Sequence, residues 1–162
     1  MKTEMGELIV GAYLKQIEGC DFVEYNARPR GGGIKGLDEL DVIGMNFATN
    51  TAYLCEVTTH LLGALYVDNK TTVEKISSKH LKQKEYAETY LKNFENIRFM
   101  FWSPYVPIGY ITRGLETLPD LELIINKEYT SKINELKFLA RKTTNDSGND
   151  FFRALQIIEH LK

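Results

Sequence analysis

The runs Gly36–Met45 and Ala52–Thr58 alternate apolar and polar positions every second residue, the period of a half-buried strand. Ala48-Thr49-Asn50-Thr51 between them has the composition of a turn, so the two runs predict a hairpin. Leu37, Glu39, Asp41 and Ile43 share one face of the first strand, and Leu54, Glu56 and Thr58 share one face of the second. Carboxylates thus stand where a half-buried strand ordinarily carries aliphatics. Upstream, residues 4–18 read as a helix with Met5, Leu8, Ile9, Ala12 and Ile17 in one stripe, and Val10 and Leu14 on the other flank. Asp21–Asn26 reads as a first strand, ended by Pro29 and Gly31-Gly32-Gly33.

Downstream, the strongest helical spacing covers residues 72–94, through Val73, Ile76, His80, Ala87, Leu91 and Phe94, with Thr71-Thr72 as a cap. Ile97–Trp102 is a nearly continuous apolar run, the composition of a strand buried between neighbours. The long helix before it predicts parallel pairing with the Glu56 strand. Leu121–Ile125 predicts one more strand after a loop bearing Pro107, Gly109, Gly114 and Pro119, and helices at about 130–142 and 149–161 close the chain. The expectation is a single α/β domain: a mixed central sheet with helices on both faces, ordered α-β-β-β-α-β over about 4–106, with a C-terminal addition over about 107–162.

Composition changes this picture little. The 162 residues, 43% hydrophobic, suffice for one real core. No apolar stretch approaches the ~20 residues of a membrane span, and Met1-Lys2-Thr3-Glu4 does not begin a signal peptide, so no membrane association and a cytoplasmic location are expected. Cys20 and Cys55 lack zinc or redox spacing and read as buried thiols. A net charge of −2 gives no global argument for nucleic acid. Local excesses are more suggestive: Lys70, Lys75, Lys79, Lys82, Lys84 and Lys92 outnumber the acids of their segment, and Arg28, Arg30 and Lys35 flank the triple glycine. The lysines read equally as a solvated helix face or a polyanion contact. Trp102, Phe99 and Phe101 read as sheet core rather than base-stacking platforms.

If the hairpin forms, Asp41 and Glu56 converge. Acids gathered in an apolar setting repel one another and resist desolvation, and a hard divalent cation relieves both costs. Mg²⁺, with Mn²⁺ as substitute, needs only one or two carboxylates beside its waters and a substrate phosphate. This chemistry suits phosphodiester hydrolysis.

Glu7 on the first helix, Gly36-x-x-Glu39-x-Asp41 on one strand and Glu56-Val57-Thr58 on the next resemble the motifs of the PD-(D/E)XK nuclease superfamily, across roughly residues 4–106. The resemblance implies a restriction-endonuclease-like fold, metal held by Asp41, Glu56 and the main-chain carbonyl of Val57, and Glu7 pointing at the site from its helix. Glu39 echoes the Glu-x-Asp of the Holliday-junction resolvase branch. The family pattern ends in lysine, where this chain has Thr58. Thr58 can donate a hydrogen bond but carries no charge. Lys79, at the edge of the apolar face of the long helix, is the expected replacement, with Gln83 one turn later on the same side; Lys82 points away. His60 reads as a structural hydrogen-bonder or a group acting on a proton or phosphate.

The expected function is Mg²⁺-dependent hydrolysis of DNA, with RNA a further possible substrate and a homodimer suited to cutting both strands. The alternatives are a nuclease-like domain that has lost catalysis and binds nucleic acid or protein, and an interaction module whose acids solvate a sheet edge.

Overall fold

The chain runs α1 (Met5–Gln16), β1 (Phe22–Ala27), β2 (Leu40–Asn46), β3 (Thr51–Val57), α2 (Asn69–Tyr90), β4 (Asn96–Ser103), α3 (Tyr110–Glu116), β5 (Leu121–Ile125), α4 (Lys127–Lys142) and α5 (Asp150–Glu159). This computed structural model describes residues 2–34, 38–63 and 65–162. Lys35, Gly36 and Leu37, assigned above to a loop and the start of a strand, lie outside the described residues.

The expected hairpin is β2 and β3, antiparallel, with Val42 opposite Cys55 and Asn46 opposite Thr51. Its turn is closed by Asn46, whose Oδ1 accepts from the Thr49 N–H at 3.0 Å, and by Asn50 at φ 52°, a left-handed conformation asparagine tolerates. The sheet has five strands in the order β1-β2-β3-β4-β5, with β1 and β3 both antiparallel to β2. β4 runs parallel to β3, as α2 must cross over between them, and β5 runs parallel to β4.

Helices cover both faces, as expected of this α/β class. Val10, Tyr13 and Leu14 of α1, Leu136 and Ala140 of α4, and Phe152 of α5 pack on Val42, Tyr53, Cys55, Met100 and Trp102. The opposite face sets Leu54 and Ile43 against Ala87 and Leu91, and Phe101 against Ile76 of α2 and Ile111 and Leu115 of α3. α4 and α5, read from sequence as an addition, thus complete one of the two cores. Strand β3 is buried from Thr51 through Glu56 because it has strands on both edges and helices on both faces. Cys20 and Cys55 are buried free thiols; burial pushes the Cys20 thiol up to about 12 and the Cys55 thiol well above its ordinary value. Among the described residues no helix is long and apolar enough to cross a membrane.

Three elements depart from the sequence reading. α2 begins at Asn69, capped by Asp68 rather than by Thr71-Thr72, and ends at Tyr90, before Phe94. The buried side of α1 is formed by Gly6, Glu7, Val10, Gly11, Ala12, Tyr13 and Leu14, whereas Met5, placed in the apolar stripe with Ala12, is 57% exposed. Glycine carries no hydrophobic signal, yet a Cβ at Gly11 would run into the Tyr25 hydroxyl and one at Gly6 into Thr59 Cγ2, so the helix presses its glycine side on the sheet. The segment read as a loop after β4 contains α3. Seven residues with an internal glycine have little helical propensity. α3 forms because Ile111 and Leu115, one turn apart, are buried, and because Gly114 admits the Val73 methyls of α2, the nearest 2.9 Å from where a Cβ would sit.

Gly11→Ala should reverse the usual helix preference. Alanine gains roughly 0.5–1 kcal/mol over glycine inside a helix, but overpacking against Tyr25 costs about 1–3 kcal/mol. The urea midpoint should therefore drop, and Tyr25→Phe in the same chain should recover part of the loss; a midpoint at or above wild type would contradict this packing.

Candidate functional site

The geometry starts from the end of the hairpin. Continuing the β2–β3 register one step past Val42 and Cys55 sets Asp41 directly opposite Glu56. Asp41 Oδ2 accepts from the Val57 N–H at 2.8 Å, which binds its carboxylate to the neighbouring strand. Glu56 is 5% exposed, in the last buried position of β3.

Helix α2 brings the cation. Its first turn is capped by Asp68, which accepts from the Thr71 N–H at 2.7 Å. Further along, Gln83 Nε2 donates to the main-chain oxygens of Leu54 at 3.1 Å and Met100 at 3.4 Å, pinning one side of α2 over the junction of β3 and β4. Lys79 lies one turn before Gln83 on that side, and its ammonium donates to Glu56 Oε1 in a salt bridge. Gln83 was expected to lean toward Glu56 as well; it serves the strand carbonyls instead. Lys82 points away from the site, pairing with Asp38 at 3.5 Å and Glu85 at 3.4 Å.

A cleft of about 280 Å³ opens on this group, lined by Glu7, Asp41, Glu56, Val57, Thr58 and Lys79, together with His60 and Tyr66. The structure thus brings together the residues proposed from sequence, except Glu39 and Gln83. Glu39 precedes β2; its carboxylate pairs with Arg28 at 3.4 Å, and its charge adds to the field at Asp41. Arg28 is thereby drawn into an ion pair, away from the free basic loop suggested by its sequence. Glu7, which residue pattern alone assigns to the surface, is 8% exposed; its Oε2 accepts from the Glu4 N–H at 2.9 Å and from Asn26 Nδ2 at 3.3 Å. The Thr58 hydroxyl donates to Ser103 Oγ at 3.0 Å, tying the ends of β3 and β4 together. His60 is exposed. Tyr66 was not singled out by sequence, because an aromatic in a loop between two elements carries no periodic signal.

Electrostatics at the cleft are those of crowded acids. Burial raises Asp41, opposed by the Val57 N–H and the Lys79 charge. Burial and then the adjoining Asp41 charge push the Glu56 carboxyl up to about 8, against the pull of Lys79. Burial alone lowers Lys79, but Glu56 and Asp41 outweigh it and the ammonium is held above its ordinary value. Burial also raises Glu7, with hydrogen bonds from Glu4 and Asn26 opposing and the Asp41 charge adding. More negative charge converges than one lysine balances, so the site favours a proton or a second cation.

Among the described residues no group of three or more His, Cys, Asp or Glu side chains forms a cage for a metal ion. The Asp41 and Glu56 carboxylates would suit the sparse mode of Mg²⁺, completed by water and substrate oxygens. No family model, curated protein or solved structure matches this chain.

The acid pair has a pH signature. A carboxyl raised from 4.5 to about 8 on folding keeps a proton that the unfolded chain releases, so its contribution to stability is present below pH 4.5 and lost as pH rises toward 8. The metal-free protein should melt at a lower temperature at pH 8 than at pH 5.5, and Glu56→Gln should flatten that slope. Millimolar Mg²⁺ should raise the wild-type melting temperature more at pH 8 than at pH 5.5, since ion binding needs the ionised carboxyls. Equal slopes in calorimetry of the two proteins would remove Glu56 as the source.

Proposed function

We propose that this protein is a divalent-cation-dependent nuclease of the PD-(D/E)XK type, hydrolysing phosphodiester bonds in DNA. The observation that carries the reading is the meeting of Asp41 and Glu56 across β2 and β3, with Lys79 of α2 bound to Glu56. The element order through β4, with two antiparallel pairings followed by a parallel one, agrees with the order the sequence resemblance implies and supports the same reading.

Asp41 and Glu56 would hold Mg²⁺ or Mn²⁺, with Val57 at the cleft to offer its carbonyl. The ion would lower the pKa of the attacking water and neutralise charge on the phosphoryl oxygens. The Val57 N–H occupies one oxygen of Asp41 and so orients the other for a ligand. Lys79 keeps its charge through contact with Glu56. With an ion on Glu56, that ammonium is available to the phosphate, the role the absent strand lysine leaves open. Glu7, fixed by Glu4 and Asn26, deepens the negative field that draws the cation.

One observation favours the rival of a nuclease-like domain that binds without cutting: the motif position is Thr58, and its hydroxyl is engaged by Ser103. Assays on duplex, single-stranded and branched DNA, and on RNA, with Mg²⁺ or Mn²⁺ separate the two. Cleavage is expected, and Glu56→Ala should abolish it with the fold intact; an unchanged rate in that variant would refute the ligand assignment. Lys79→Ala should lower kcat by about 10²–10³-fold at saturating metal, typical of losing one transition-state stabiliser. Inert wild-type protein that gains activity with Thr58→Lys would identify the rival.

A further inference from the structure

Tyr66 lines the cleft, Lys75 stands over its ring, and neither has a part in the reading above. Tyr66 is anchored by its main-chain N–H, which lies 3.2 Å from Thr72 Oγ1 in the first turns of α2, and its ring packs against the cluster containing Ile76, Phe101 and Val106. The ring therefore spans from apolar core to the cleft, which it lines, within the fields of Asp41, Glu56 and Lys79. Lys75 precedes Lys79 by one turn on α2, so the two lysines share a helix side. Its ammonium lies 4.5 Å from the centroid of the Tyr66 ring, a cation–π contact. Among the described residues no carboxylate pairs with Lys75.

This arrangement answers a difficulty of the site. The cleft gathers Glu4, Glu7, Asp41 and Glu56, and among the described residues that line it the single lysine, Lys79, is bound to Glu56. A polyanion approaching such a cleft meets net repulsion unless free positive charge stands at its rim. The Tyr66 ring restrains Lys75 there without neutralising it, because an aromatic face attracts a cation yet leaves its charge and its hydrogens available. The cleft, at about 280 Å³, admits little more than one phosphoryl group and its sugar, so the strand must continue over the rim.

We infer that Lys75, held in place by the ring of Tyr66, binds the phosphate next to the scissile one on the same nucleic-acid strand. The inference rests on the nuclease reading for the identity of the strand; Lys75 is the binding residue and Tyr66 a positioning residue.

The test is binding of a fluorescent single-stranded oligonucleotide, with Ca²⁺ replacing Mg²⁺ to hold off cleavage, at salt from about 50 to 200 mM. Lys75→Gln should weaken binding about 3–10-fold at the lower salt and make the log–log salt slope shallower by about 0.7, the value of one single-strand phosphate contact. Lys75→Arg should restore both. Tyr66→Leu should reproduce the shallower slope and Tyr66→Phe should not, which a merely structural role for the tyrosine does not predict. In Mg²⁺ the Lys75→Gln loss should fall on KM rather than kcat. A wild-type slope in Lys75→Gln overturns the contact, and with robust cleavage leaves the nuclease reading standing. A Lys75-dependent slope in protein that never cleaves sustains the contact and removes the nuclease. Wild-type protein that binds no oligonucleotide overturns the inference.

Discussion

The salt bridge between Lys79 and Glu56 is the constraint around which the candidate site is built. A carboxylate in the most buried strand of a sheet is costly unless an opposite charge reaches it, and removing one partner leaves the other uncompensated. The lysine stem is apolar and can cross the helix–sheet layer while its ammonium meets the acid. For that to happen α2 must dock with one rotation only. Gln83, hydrogen-bonded to carbonyls of both β3 and β4 one turn later, sets that rotation. The charge pair and the amide clamp are thus one device, and it also covers the parallel junction that α2 creates.

The remaining acids depend on the same frame. Asp41 is held by the backbone of β3, and its position opposite Glu56 follows from the hairpin register; a slip of one residue would send the two carboxylates to opposite faces. The register is secured at the other end by the Asn46–Thr49 turn. Glu7 reaches the cleft because Gly6 and Gly11 let α1 lie close on the sheet. Close packing at the glycines and charge crowding at the acids are therefore connected through a single helix. The bond between Thr58 and Ser103 ties the strand ends, and the segment between β3 and α2 supplies His60 and Tyr66 to the cleft wall.

Much of this was legible from local pattern. The hairpin, the buried strand β4, the long helix and the parallel crossover each follow from periodicity, composition or connection length, which are properties of neighbouring residues. Convergence of Asp41 with Glu56 was equally accessible, since period-two alternation and a short turn leave few registers. Lys79 was found because helical spacing relates it to the apolar stripe. Residues whose placement depends on distant partners were harder to read. Glu39 shares alternation with Asp41 but turns to Arg28, and Gln83, assigned to the site by spacing, is claimed by two strand carbonyls.

The sequence by itself determined the α/β class, the mixed sheet and the acids that face each other, because each rests on the short-range periods of helix and strand. Tertiary structure alone decided that α3 is a helix, that Glu7 is buried, and that Tyr66 joins the cleft. A short glycine-containing helix draws its stability from the packing of Ile111 and Leu115 rather than from propensity. Burial of Glu7 follows from glycines that are silent in any hydrophobic pattern, and Tyr66 is fixed by contacts with α2 and with the core. Packing of segments distant in the chain settles such features, and no local period encodes them.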